Sequence, residues 1–452
     1  MKNGSGHNKR QRASRATLIA LAIALLIVSL LTAYVTNLFE YRASSADAGQ
    51  TDSNLLSPTP GNSEEPEEPT PPPPLYTEAN ILSVGDIMVH SPQLTAQYNS
   101  TSKSYDFTNN FSQLGKYLSA ADYTVANFET TLAGDATYDY TGYPRFNSPD
   151  ALADALKNIG FDMLLLSNNH INDTRDAGFL RTVQVLKDKQ FDLIGGKSKS
   201  EEKSYFVKEV NGIKIGFLNY GYGTHKDSGK LINGANVPAS IAPLIDTFDY
   251  NDKPGLYKEV EDRIKEMKTQ GADAIVVYIH WGNEYKLDAN SHQKEIAHKL
   301  SDLGVDVIVG SHPHVIQKPE IIKSEVSGKT TLCMYSLGNF ISNQQTAEPS
   351  ITMKSGHTED GVMFSFSIRK YGTGEVVVSY AGYVPTWVHR YKKDGKYVYN
   401  IVPLPEGYEN PEASGLTNSD DGAKRAKASK ERTDDLLKEV IDEFNAQVKL
   451  PE

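Results

Sequence analysis

Five apolar runs in this 452-residue chain each end in side chains able to ligate a metal or move a proton. The run 81–84 leads into Gly85 and Asp86, and the run 123–126 into Asn127, Phe128 and Glu129. The run 163–166 is followed by Asn168, Asn169 and His170, with Asp173 three residues on. The run 274–279 ends at His280, with Glu284 shortly after, and 305–309 leads into Gly310-Ser311-His312-Pro313-His314. The donor set mixes imidazole, carboxylate and amide oxygen without thiolate. It suits one or two divalent ions such as Mn, Zn or Fe acting as a Lewis acid, and does not suit a structural thiolate site. Such an ion lowers the pKa of a bound water and polarises phosphoryl or acyl oxygens. His170, beside an amide donor, is placed to act as an acid for a leaving group.

Each residue taken singly also has a purely structural reading. Asp86 could cap a turn, Asn168-Asn169 could form one, and His280 could be a satisfied core histidine. The pair His312 and His314 is the sharpest single signal. Residues two apart point the same way only in extended backbone, and Pro313 is expected to keep the segment extended. Arg145, in the stretch Tyr143-Pro144-Arg145-Phe146-Asn147, could hold a carboxylate or phosphate bidentately, or form a surface salt bridge. Glu284 could orient a neighbouring ligand. The coincidence of five such strand ends outweighs any one of them.

The elements that must position these groups read as alternating strands and helices, an α/β pattern, with a strand-rich latter part. In open α/β sheets ligands bind at the carboxyl ends of the strands, which is where these groups fall. Helices are predicted over 107–121, 149–159, 178–187, 256–269 and 291–303. Asn211-Gly212, between apolar runs, predicts a hairpin. Later strands are predicted at 331–336, 362–368 and 375–380. Residues 423–448 form a charged candidate helix with Leu437, Val440, Ile441, Phe444 and Val448 on one face.

The N-terminus differs. Residues 1–15 carry five Lys or Arg and no acid, and read as a cytoplasmic basic tail. Residues 16–39 are 24 uncharged, mostly apolar residues, long enough for one membrane-spanning signal-anchor. The basic flank keeps the N-terminus inside and directs the rest of the chain outside the cell membrane. Residues 40–76 form a linker rich in Pro, Glu and Ser, with eight of the 22 prolines between 58 and 74. The main domain is expected over 77–405 and a charged tail with the candidate helix over 406–452. The chain carries a net charge of −11, and the first 42 residues contribute +5, so the remainder stands at −16. That balance excludes general nucleic-acid binding. A single cysteine, Cys333, excludes an intramolecular disulfide framework.

Taken together, these motifs resemble the poly-γ-glutamate capsule biosynthesis family (CapA or PgsA proteins), which is similar to the calcineurin-like metallophosphoesterases. The matching pieces are Val84-Gly85-Asp86-Ile87-Met88, Ala126-Asn127-Phe128-Glu129, Ser167-Asn168-Asn169-His170 with Asp173 and Gly178, His280-Trp281-Gly282-Asn283-Glu284-Tyr285, Gly310 to Val315, and Tyr335 to Phe340. The resemblance implies a four-layer α/β/β/α sandwich. It implies Asp86, Glu129, Asn169, His280, His312 and His314 as metal ligands, and His170, with Asp173 nearby, as the catalytic acid. It also implies a membrane-anchored protein of capsule or envelope polymer synthesis, with an anionic polymer or envelope substrate and membrane proteins of synthesis and export as partners. A non-catalytic accessory subunit of such a complex is the competing expectation. One departure stands out: metallophosphoesterases carry Asp-x-His, whereas here Asp86 is followed by Ile87 and Met88, and the nearest histidine is His90.

Overall fold

The computed structural model describes residues 76–346 and 357–451. The predicted basic tail, anchor and linker lie outside the described residues. Among the described residues, no helix is long and apolar enough to cross a membrane.

The chain builds two mixed sheets. In the first, β1 (Tyr76–Ile87), β2 (Tyr123–Phe128), β3 (Met163–Leu165) and β4 (Asp192–Ile194) run parallel in that order. The second holds β5 (Phe206–Val210), β6 (Ile213–Tyr222), β7 (Thr247–Phe248), β8 (Ala274–His280), β9 (Val307–Ser311), β10 (Glu320–Lys323) and β11 (Thr330–Met334). Its central strands β6, β8, β9 and β11 are parallel neighbours. The chain then returns to the first sheet. Strand β12 (Asn339–Ile341) pairs parallel to β1, and β13 (Asp360–Tyr371), β14 (Val376–Lys393) and β15 (Lys396–Pro403) extend its other side antiparallel. The Asn211-Gly212 hairpin joins β5 to β6, with φ of 50° and 79° at its two turn residues.

Alternation along the strands sets the layers, because successive side chains take opposite faces. Ile81, Val125 and Met163 of the first sheet meet Phe217, Val276, Tyr278 and Val307 of the second in one buried core. The Ser83 and Tyr278 hydroxyls hydrogen-bond across that core at 2.9 Å. The opposite face of the first sheet, with Leu82, Val84, Ala126 and Leu164, is covered by α2 (Ala151–Ile159) and α3 (Arg175–Asp188), preceded in the chain by the short α1 (Ser91–Gln97). The outer face of the second sheet, with Ile275, Val277, Ile279 and Ile308, is covered by α4 (Lys253–Thr269) and α5 (Ser291–Asp302). Helix, sheet, sheet, helix is the order of layers. The last helix, α6 (Gly422–Gln447), sends Leu437, Ile441 and Phe444 into the core between the sheets, so the charged C-terminal segment helps close it.

The helix predicted over 107–121 does not form as one element. A 3-10 turn at Thr108–Phe111 and a short helix at Gly115–Ser119 replace it. Asn109, Asn110 and Gly115 are weak helix formers, and Asn110 gives its side-chain amide to the Tyr399 carbonyl of β15 instead. The strand predicted at 375–380 extends over the whole of β14.

Candidate metal centre

The carboxyl ends of β1, β2, β8 and β9, with the turn after β3, meet at one edge of the two-sheet core. Parity explains most of the convergence. Asn127 shares the inward face of β2 with Tyr123 and Val125, and His280 shares that of β8 with Val276 and Tyr278. Asp86 would have the wrong parity, falling on the outward face with Leu82 and Val84. An irregularity in β1 corrects it: Val84 pairs with Ala126, but the next pairing is Asp86 with Asn127, so one residue is skipped. That residue is Gly85, where a Cβ would lie 1.9 Å from the Gly338 carbonyl oxygen. A bulge at a glycine thus turns Asp86 inward.

The resulting cluster is tight and buried. Asp86 and Glu129 are each 0% exposed. The Asn127 side-chain amide donates to Asp86 Oδ1 at 2.7 Å and to Glu129 Oε2 at 3.1 Å. His314 Nδ1 lies 2.9 Å from Asp86 Oδ2, and its Nε2 is 3.9 Å from Glu129 Oε1. His280 Nε2 lies 2.9 Å from Asn169 Oδ1 and 3.7 Å from Glu129 Oε1, while its Nδ1 meets the Ser311 hydroxyl at 2.9 Å. The His312 ring sits 4.7 Å from that of His280.

His312 and His314 converge by a route other than the extended one expected. Strand β9 stops at Ser311, and the two histidines have φ of 96° and 57°. Left-handed backbone at two non-glycine residues, one of them before a proline, is costly and persists only where surroundings enforce it. Here the His312 N–H reaches Asp86 Oδ2 at 3.3 Å, and the Pro313 carbonyl accepts from Tyr285 N at 2.8 Å.

The electrostatics favour a cation. Burial, with the charges of Asp86 and Glu284 nearby, pushes the Glu129 carboxyl well above the usual range. Burial and the neighbouring histidines hold His280 well below the imidazole range, and His312 falls to about 3. The cluster thus gathers buried imidazoles and carboxyl groups, and among the described residues no lysine or arginine pairs with Asp86 or Glu129. Two buried atoms in the cluster have no hydrogen-bond partner, Glu129 Oε1 and His312 Nδ1. Orphaned acceptors of this kind fit a divalent ion. Donor atoms of Glu129, His280 and His312 lie within 4.8 Å of one another, as do those of Asp86, Glu129 and His314.

Of the residues expected in the site, Asp86, Glu129, Asn169, His280, His312 and His314 are brought together. His170 is near enough to depress both His280 and His312, and its Nδ1 lies 2.8 Å from Asp173 Oδ2. Arg145 is exposed, and no hydrogen bond or ion pair links its guanidinium to the cluster; the backbone of the next residue, Phe146, is what Asp173 holds. His90 is the N-cap residue of α1, with Nδ1 accepting from Asn343 N at 3.3 Å. Sequence reasoning placed Asn127 and Ser311 at strand ends but missed their roles: Asn127 bridges the carboxylates and Ser311 fixes His280. The two-residue spacing of Asn127 and Glu129 carried the first signal. Asn168 also proves structural to the site, giving its amide to the Phe128 carbonyl at 2.9 Å and accepting from His170 N.

A chain of two such sheets with this donor cluster is a mixed α/β protein with a candidate metal centre. Residues 80–344 match the family described as bacterial capsule synthesis protein PGA_cap. That is more than half of the chain, and the chain belongs to this family. It is 27% identical over 299 residues to the capsule biosynthesis protein CapA of Bacillus anthracis, covering 65% of this chain and 64% of that protein. It is 29% identical over 263 residues to the PGA biosynthesis protein CapA of Bacillus subtilis (strain 168), covering 58% of this chain and 61% of that one. The chain thus spans less than two thirds of the length of either relative. Among solved structures, purple acid phosphatase PPD1 from yellow lupin aligns at 9% identity over 68% of this chain and 53% of its own, with a TM-score of 0.31. That likeness is too slight to bear on the chemistry.

Proposed function

We propose that this protein is a membrane-anchored, extracytoplasmic hydrolase of capsule or envelope polymer synthesis, dependent on a divalent ion such as Mn, Zn or Fe and built on the calcineurin-like metallophosphoesterase plan. The observation that carries the reading is the pair of orphaned buried atoms, Glu129 Oε1 and His312 Nδ1, inside one cluster of donors. Asp86, Glu129, Asn169, His280, His312 and His314 would hold the ion. When bound, it supplies Lewis acidity, lowering the pKa of water and polarising the scissile phosphoryl or acyl group. His170 stands beside Asn169 with Asp173 fixing its ring, and would give its proton to the leaving group. The family and its CapA relatives support an anionic envelope polymer as substrate and synthesis or export proteins of the membrane as partners. The uncharged stretch 16–39 would anchor the chain with its C-terminal body outside.

A second reading, a non-catalytic subunit of the synthesis and export complex, draws support from Met88, a buried apolar residue where the second ligand of an Asp-x-His pair would stand. Metal content and turnover separate the two. The full chain and its His312→Ala/His314→Ala variant are assayed by elemental mass spectrometry and on an aryl phosphodiester and poly-γ-glutamate. Stoichiometric metal and turnover, both lost in the variant, support the hydrolase. Bound metal without turnover on any envelope polymer leaves the accessory role. A wild type that stays metal-free after reconstitution removes the catalytic reading.

A further inference from the structure

Resting on the metal reading above, we infer that Glu284 is itself a ligand, holding with His312 and His314 a second cation position beside the one bounded by Asp86, Glu129 and His314. The first position is bounded by Asp86, Glu129 and His314, whose donor atoms lie within 4.8 Å of one another. Three protein donors with one place left open is the arrangement of a catalytic ion. Met88, two residues after Asp86, is apolar and 1% exposed. His90 belongs to none of the donor clusters of the centre, and its Nδ1 is engaged by the Asn343 N–H.

Glu284 does belong to one. Its carboxylate and a ring nitrogen of each of His312 and His314 also lie within 4.8 Å of one another. The three clusters of the centre share members pairwise: Glu129 joins the His280 and Asp86 clusters, His314 joins the Asp86 and Glu284 clusters, and His312 joins the His280 and Glu284 clusters. The Asp86 and Glu284 clusters meet at His314, which sets these two positions side by side.

The backbone holds Glu284 there. The loop after β8 turns back through Gly282 and Tyr285, with φ of 89° and 62°. Tyr285 N then donates to the Pro313 carbonyl at 2.8 Å, tying the loop to the turn that carries both histidines. The Tyr285 ring lies 5.9 Å from that of His314, and its hydroxyl accepts from Gln344 Nε2 at 3.1 Å. Glu284 is exposed, whereas Asp86 and Glu129 are fully buried, so Glu284 closes the site from the solvent side. Charge agrees with two positions. Three carboxyl groups, those of Asp86, Glu129 and Glu284, gather in one centre, and among the described residues no lysine or arginine pairs with Asp86 or Glu129.

The test uses the full chain, stripped with chelator and reloaded with Mn(II). Ion stoichiometry is read by elemental mass spectrometry after gel filtration, and electron paramagnetic resonance distinguishes a coupled Mn pair from an isolated ion. Wild type is expected to hold two ions with a coupled spectrum. E284Q, a change at an exposed residue, is expected to hold one ion with an isolated six-line signal and an unchanged melting profile. H90A is expected to match wild type. A coupled pair retained in E284Q overturns the inference, as does loss of one ion in H90A. A wild type with one ion, kept in E284Q, overturns it while leaving the hydrolase reading intact. A wild type with no ion overturns both.

Discussion

His170 Nδ1 stands 2.8 Å from Asp173 Oδ2, and the same carboxylate oxygen accepts the Phe146 N–H at 2.6 Å. The Phe146 ring meets the His170 ring edge to face at 4.6 Å. The imidazole is thus held by a carboxylate on one side and an aromatic ring on another. With a proton on Nδ1 shared toward Asp173, Nε2 is the nitrogen left for chemistry.

The expected effect of Asp173→Asn follows from that geometry. The amide can still bond the ring but no longer fixes which nitrogen carries the proton or stabilises the charged imidazole. Partners of this kind are worth about 10–100-fold. The kcat should fall by about that factor, with KM and metal content near wild type. Loss of metal alongside activity would show instead that Asp173 holds the centre together and does not act through His170.

The metal-free protein should lose stability in acid, and the sign can be worked out group by group. Burial lowers His312 and His90 to about 3, and holds His280 well below its usual value. A histidine near 6.5 when unfolded takes up its proton there first, so its contribution is full above 6.5 and is lost as pH falls toward the folded value. Glu129 works the other way. Its folded value is raised, so its contribution is full below the ordinary 4.5 and lost as pH rises through the raised value. Between 4.5 and 6.5, three histidines in or beside the centre oppose one carboxylate, each worth up to about 1.4 kcal/mol per pH unit. Elsewhere in the chain His389, lowered to about 4, with His225 and His357, also lowered, opposes Asp360, raised to about 6, and Glu259, also raised. Urea unfolding of the chelated protein should therefore show lower stability at pH 5.5 than at 7, and His312→Gln should flatten that slope. An opposite slope would mean that the raised carboxyls, Glu129 with Asp360 and Glu259, dominate. Metal affinity should fall in acid without this competition, because protons on either group type displace the ion.

How much of this was legible beforehand differs by residue. Glu129 was legible as a polar residue just past the end of an apolar run. His280 was readable in the same way at the end of an apolar run. His312 and His314 were expected for the wrong reason. Their convergence depends on two left-handed residues held by Asp86 and the Tyr285 loop, contacts across more than 200 residues for Asp86 that no local pattern encodes. Asn127 was visible as a residue but not as a bridge, because its role exists only when the bulge in β1 brings Asp86 opposite it. Arg145 had the right chemistry and a loop near the site, yet nothing in its sequence context fixed where its side chain would lie. The 107–121 segment failed because its polar residues found tertiary partners that local propensity does not anticipate.

Gly85 is the residue on which the inward turn of Asp86 depends. A Cβ there would lie 1.9 Å from the Gly338 carbonyl oxygen, and that oxygen is fixed because it accepts the Asp86 N–H at 3.0 Å. Backbone cannot swing aside as a flexible side chain can, so Gly85→Ala must either push the Gly338 strand connection away or shift the pairing of β1 by one residue. Overpacking of this kind costs about 1–3 kcal/mol. A register shift would return Asp86 to the face occupied by Leu82 and Val84 and separate it from Asn127 and His314. The expected result is a protein that still folds, with a lower urea midpoint, and that binds metal far more weakly. Ile368→Ala, which opens a cavity at the far end of β13 opposite Ala79, at a cost of about 2–5 kcal/mol, should keep its metal. Equal metal loss in both variants would trace the effect to general destabilisation; wild-type metal binding in Gly85→Ala would show that the bulge does not aim Asp86.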